Sequence, residues 1–162
     1  MPYTPFHYGP GAVLGLLCSR HLNLAAVLIA GVIIDIEPIY IYKQQLNYAH
    51  HAFFHTLWGA TIAAVILSGI LYYFRLAIHK ILNIILLPQP MTYRSILLGA
   101  LAGFFLHIFF DSFVHADIKP FFPFSYNPFY QAATYAQVIF VCQLAFALAG
   151  LLYLLKLNKK ES

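Results

Sequence analysis

Charge is what this chain has least of: 9% of its 162 residues are Asp, Glu, Lys or Arg, where a water-soluble domain carries about a quarter. With 62% hydrophobic residues and a mean hydropathy of +0.77, water cannot be its principal solvent. Cysteine is equally scarce. Cys18 and Cys142 each lie inside an apolar run, without the Cys-x-x-Cys spacing of a zinc or redox motif, and read as small buried or lipid-facing residues. No GxGxxG loop follows a strand-like run, so a dinucleotide fold is excluded. Ser68, Ser95 and Ser125 stand outside any nucleophile-elbow motif, which argues against a serine hydrolase. The first residues, Met-Pro-Tyr-Thr-Pro-Phe-His, lack the basic start of a signal peptide, so the first helix is expected to stay in the protein. The nine basic residues are scattered at the edges of apolar runs rather than gathered in a patch. That distribution fits membrane topology and not nucleic acid.

What is present in excess is long apolar sequence. Crossing about 30 Å of hydrocarbon at 1.5 Å per residue is within reach of four runs, at about 22–42, 52–74, 93–113 and 130–155. The expected fold is an all-α integral membrane protein, one domain over 1–162. It is a bundle of four long transmembrane helices with a short N-terminal spanning or re-entrant helix at 11–19. An interfacial helix at 76–87 carries His79, Lys80 and Asn83 among apolar residues and stops at Pro88. Lys119 to Pro128, rich in proline and aromatics, reads as a loop at headgroup level. Arg20, Arg75, Lys80, Arg94, Lys156, Lys159 and Lys160 fall on one side of such a bundle, against Lys43 and Lys119 on the other. The richer side, with the C-terminus, is therefore expected in the cytoplasm of an inner-membrane protein.

The remaining polar residues are not scattered. Of the five acids, all but Glu161 fall toward the outer side: Asp35 and Glu37 on the first span, Asp111 on the third, Asp117 just beyond it. His50, His51 and His55 open the second span, His107 and His115 flank Asp111, and His7 joins them if the short first helix spans. His21 and His79 lie on the opposite side, at the interface. An ionisable group inside a bilayer costs roughly 2.5–3.5 kcal/mol, so it is normally paired, hydrated or ligated.

Spacing divides the crowd. His51 and His55 are four apart, as are His107 and Asp111; on helices each pair shares a face. Pro38 biases Glu37 away from helical geometry, so that the helix ends there and Asp35 and Glu37 both point inward. Imidazoles with carboxylates suit a divalent metal, zinc first and manganese or iron as alternatives, and the surplus of carboxylates allows one or two ions. Such a site makes a water nucleophilic near pH 7.

The ordered motifs resemble those of the YdjM-like family of inner-membrane proteins, described as metal-dependent hydrolases. They are His7 in Pro5-Phe6-His7, then Asp35-Ile36-Glu37-Pro38, then His50-His51-Ala52-Phe53-Phe54-His55-Thr56, then His107-Ile108-Phe109-Phe110-Asp111, then the aromatic stretch from Pro120 to Ser125. The resemblance implies metal ligands at His7, Asp35, Glu37, His51, His55, His107 and Asp111. No arginine follows the histidine pair here. The five-residue spacing favours His50 as the first histidine and helical facing favours His51, which is preferred.

The reading that follows is a membrane-embedded hydrolase in which metal-activated water attacks an ester, amide or phosphoester of a lipid-like substrate at the outer face. His51, His55, His107 and Asp111 hold the first ion, and Asp35 and Glu37 complete it or act as catalytic base. His50, His115 and Asp117 stand behind the ligands. Aromatic residues between Phe104 and Phe129 are candidates for an acyl-chain groove. The alternative is an ion or proton transporter using the same cluster; a haem protein with two axial histidines would leave the carboxylates unexplained.

Overall fold

Proline and a few capping side chains decide where the apolar runs become helices. The computed structural model describes residues 4–47, 49 and 51–161, and His50 therefore lies outside the described residues. A 3-10 turn at Thr4–His7 leads into α1 (Tyr8–Leu17). Pro10 sits in the first turn of α1, where its missing N–H leaves no bond unmade. Asn23 caps α2 (Leu24–Ile33), its side chain accepting the Ala26 N–H at 3.1 Å. The helix then breaks, and α3 (Ile36–Lys43) resumes after Ile34 and Asp35. Pro38 supplies no N–H to the Ile34 carbonyl four residues back. That carbonyl instead accepts from Glu37 N–H at 3.1 Å, the tighter turn that interrupts the helix.

A second 3-10 turn, Phe53–His55, precedes α4 (Leu57–Tyr73), which is capped by Thr56 accepting the Gly59 N–H at 3.0 Å. α5 (Arg75–Ile84) turns away from α4 by 77°. α6 (Tyr93–Ser112) starts at the cap Thr92. α7 (Tyr135–Glu161) starts at a Thr-x-x-Gln capping box, in which Gln137 Oε1 accepts the Thr134 N–H at 2.8 Å and Thr134 Oγ1 accepts the Gln137 N–H at 3.3 Å.

Among the described residues every regular element is helical, but four long spans are not what the fold contains. Three stretches are long and apolar enough to cross a membrane: Leu24–Lys43, Tyr93–Ser112 and Tyr135–Asn158. α4 has 17 residues, about 25 Å of helix, and reaches a span's length only with the bent α5. The expected 52–74 helix is shortened because residues 52–56 are spent on the 3-10 turn and the Thr56 cap.

α6 is the centre of the bundle, packed between α2 and α4, while α1 lies against α7 and α2. Ala26, Ala30, Ala64, Ile96, Ala100 and Phe104 form the core of the α2–α4–α6 interface. Small residues there let the backbones approach closely, which is how helices gain contact when hydrophobic exclusion offers nothing. The N-termini of α2 and α6 are tied at one end of the bundle, Asn23 N–H donating to Ser95 O at 3.0 Å. Arg20 and Arg94 are at that end, and the acids and most histidines lie at the other.

Candidate metal centre

Four secondary-structure features deliver side chains to one place. The tightened turn between α2 and α3 carries Asp35. The last turns of α6 present His107 and Asp111 on one face, as their four-residue spacing requires. The 3-10 turn before α4 carries His55, and the turn before α1 carries His7. From Arg94 to His107 is about 20 Å of helix rise, so the group sits toward the opposite end of the bundle from Arg94.

Donor atoms of Asp35, His55, His107 and Asp111 all lie within 4.8 Å of one another, and all four residues are buried. His107 Nε2 is 3.1 Å from Asp111 Oδ2 and 3.4 Å from Asp35 Oδ1, and His55 Nε2 is 3.9 Å from the same Asp35 oxygen. His7 stacks on His107 with ring centroids 4.0 Å apart and brings its Nε2 within 3.1 Å of Asp111 Oδ1.

The outer nitrogens of the two central histidines are spoken for. His107 Nδ1–H donates to the Gly31 carbonyl at 2.7 Å; a carbonyl only accepts, so the proton of the neutral ring is on Nδ1 and the Nε2 lone pair faces the carboxylates. His55 Nδ1 pairs with Glu37 Oε2 at 2.8 Å, which turns its Nε2 into the cluster in the same way. His55 Nε2, His107 Nε2 and Asp111 Oδ1 are buried without an aligned hydrogen bond. Imidazole nitrogens and carboxylates buried this close together are held either by protons shared between them or by a cation at their centre. Histidines with the far nitrogen held by a carboxylate or carbonyl are the usual environment of metal-ligating imidazoles. The residues present therefore fit a divalent ion.

Glu37 is bound further: its carboxylate also accepts the Ala52 N–H at 3.2 Å and the Phe54 N–H at 3.0 Å. It thereby clamps the 3-10 turn that carries His55. Glu37→Gln removes the charge and leaves one acceptor oxygen where the carboxylate offers two to His55 Nδ1, Ala52 N–H and Phe54 N–H, so the hold on the His55 ring weakens. The expected result is about 10- to 100-fold weaker binding of a divalent ion, measured by competition with a fluorescent chelator; unchanged affinity would remove Glu37 from the site.

His51 goes elsewhere. Residues 51–56 are not α-helical, so His51 and His55 do not share an α-helix face as their spacing predicts, although their rings meet edge to face with centroids 4.7 Å apart. His51 instead groups with His115 and Asp117. Its Nδ1 lies 3.0 Å from both Asp117 oxygens, its backbone N–H donates to Oδ2 at 3.0 Å, and its ring is 4.2 Å from that of His115. Burial lowers the pKa of His115 to about 4. Burial, then the neighbouring His55, lowers that of His51. Both rings are thus neutral at pH 7, with a lone pair to offer. For Asp117, burial pulls upward but is outweighed by the hydrogen bonds and charge of His51, which hold the carboxyl below its usual range.

Of the candidate residues, the structure gathers His7, Asp35, His55, His107 and Asp111, sets Glu37 behind His55 and groups His51 with His115 and Asp117, whereas the sequence spacing pairs His51 with His55. The Gly31 carbonyl had no signal in the sequence, since a backbone acceptor leaves no mark in side-chain spacing.

A family model described as YdjM inner membrane protein matches residues 1–161. No curated protein and no solved structure matches the chain.

Proposed function

The chain belongs to the YdjM inner membrane protein family, and from that membership and its buried donor cluster we propose that it is a membrane-embedded metal-dependent hydrolase acting on a lipid-like ester, amide or phosphoester. The observation that carries the reading is the convergence of Asp35, His55, His107 and Asp111 with unpartnered buried atoms at their centre. These four would hold one ion, zinc first by donor chemistry and manganese or iron next. His51, His115 and Asp117 would hold a second beside it. An ion there supplies Lewis-acid activation of water and of the substrate oxygen.

The chain's own residues do the rest. Glu37 and the Gly31 carbonyl fix the two imidazoles, and Asp35 is the acid placed to take a proton from water at the cluster, since the Glu37 carboxylate is already engaged by three donors. His7 closes the cluster from the N-terminal turn. Positive charge at the opposite end, from Arg20 and Arg94, supports a topology with that end and the C-terminus in the cytoplasm and the site toward the outer face.

The rival, an ion or proton pathway, needs polar access from both sides. Toward the Arg94 end the helices close over Ala30, Ala64, Ala100 and Phe104, an apolar plug that favours access from one side. Elemental analysis of detergent-purified protein is expected to find one or two divalent ions per chain. A panel of lipid esters and phosphoesters is expected to show hydrolysis abolished by chelator. Absence of metal, or metal flux into proteoliposomes, overturns the reading.

A further inference from the structure

An apolar concavity lies beside Glu37, next to the cluster. It is a groove of about 580 Å³ between α2–α3 and α4, within the roughly 300–1,000 Å³ of small-molecule sites. One wall is a single face of α4, Ala63, Ile66, Leu67 and Ile70, spaced as i, i+3, i+4, i+7. The other is Ile33 and Ile36 with Tyr40 and Ile41, and Phe104 of α6 also lines it. Ile36, Tyr40, Ile66 and Ile70 are more than half exposed, so the groove opens sideways between segments at membrane depth. Among the described residues Glu37 is the one charged group in its lining, and the Glu37 carboxylate bonds His55 at 2.8 Å.

The shape is amphiphilic: a long apolar trough whose single charged point touches the candidate metal centre. We propose that this groove takes one acyl chain of a membrane lipid and thereby presents the attached ester or phosphoester to the cluster past Glu37. The proposal rests on the hydrolase reading, because it names what the substrate of that site is attached to. A lipid is favoured over a second copy of the chain by the lateral opening into hydrocarbon and by the continuity with the polar site. A protein partner would be expected to find polar groups along such a wall as well. The sequence expectation placed an acyl groove among the aromatics from Phe104 to Phe129; of these, Phe104 alone lines it.

The test uses the full chain in nanodiscs of phosphatidylcholine carrying a diazirine in one acyl chain, with crosslinked residues mapped by mass spectrometry. Labelling is expected to concentrate on Ile66, Ile70 and Tyr40, several-fold above Phe140, Leu144 and Leu148, which are exposed on α7. Ala63→Trp and the more peripheral Ile66→Trp should each cut groove labelling several-fold while bound metal stays unchanged, which also reports an intact fold. Equal labelling of α4 and α7 means ordinary boundary lipid and overturns the proposal. So does a change of oligomeric state in Ile66→Trp, which would show a second copy in the groove. Metal content and hydrolysis of the same lipid are read in parallel. Concentrated labelling without metal or hydrolysis sinks the hydrolase reading and leaves a lipid-binding groove, whereas metal and hydrolysis with uniform labelling sink the groove alone.

Discussion

His107→Ala and Asp111→Ala each lose the bound divalent ion, with affinity expected to fall by more than about 100-fold, the upper range for residues that merely support a ligand. Both side chains are almost wholly buried, so bulk solvent has poor access to the place of the lost donor. Asp111→Asn is the sharper variant, since it keeps the shape and removes the charge. Asp111→Asn removes a ligand charge, so the variant holds no ion for a chelator to take away. Chelator should therefore lower the melting temperature of the unaltered protein and leave that of Asp111→Asn unmoved. Elemental analysis after gel filtration reads the first effect and thermal unfolding in detergent the second. Full metal content in both alanine variants would refute the assignment of these residues as ligands.

The same pair shows why some of the site was legible in the sequence. α6 runs without interruption from Tyr93 to Ser112, so a four-residue spacing translates directly into a shared face. For His51 and His55 the same rule failed. The Leu57 N–H is taken by the Pro120 carbonyl at 2.9 Å, so a loop more than sixty positions away helps fix how α4 begins, and no local pattern carries that. The break near Asp35 was foreseen from Pro38 but placed at Glu37. Proline acts through the bond it fails to make, on the carbonyl of Ile34, as well as on its immediate neighbour. The start of α7 was readable and missed: Thr134 and Gln137 form a capping box that sets the first helical residue at Tyr135, where hydropathy alone extended the run back to Tyr130. Hydropathy also made a full span of 52–74, because it counts apolar residues without asking whether their backbone is helical.

A glycine on α6 couples this helix packing to the cluster, and its replacement tests that coupling. A Cβ on Gly103 would overlap the Val27 carbonyl oxygen and come to 2.8 Å from Ala30 Cβ and 3.0 Å from the Gly31 nitrogen. These are atoms of α2, largely backbone, which cannot move aside singly; the helices must separate. Gly103→Ala is therefore expected to destabilise the protein by about 3 kcal/mol, the upper end of the usual cost of overpacking. Separation would also draw the Gly31 carbonyl away from His107 Nδ1, releasing the tautomer that aims Nε2 inward, so metal affinity should fall along with stability. Gly31 is the internal control. A Cβ there meets the Gly103 carbonyl oxygen at 3.9 Å, an ordinary contact, and alanine is the better helix former by up to about 1 kcal/mol. Gly31→Ala should thus keep or slightly raise the melting temperature and retain the ion. Equal effects from the two alanines, one on each side of the same contact, would mean that the close approach of α2 and α6 does not hold His107 in place.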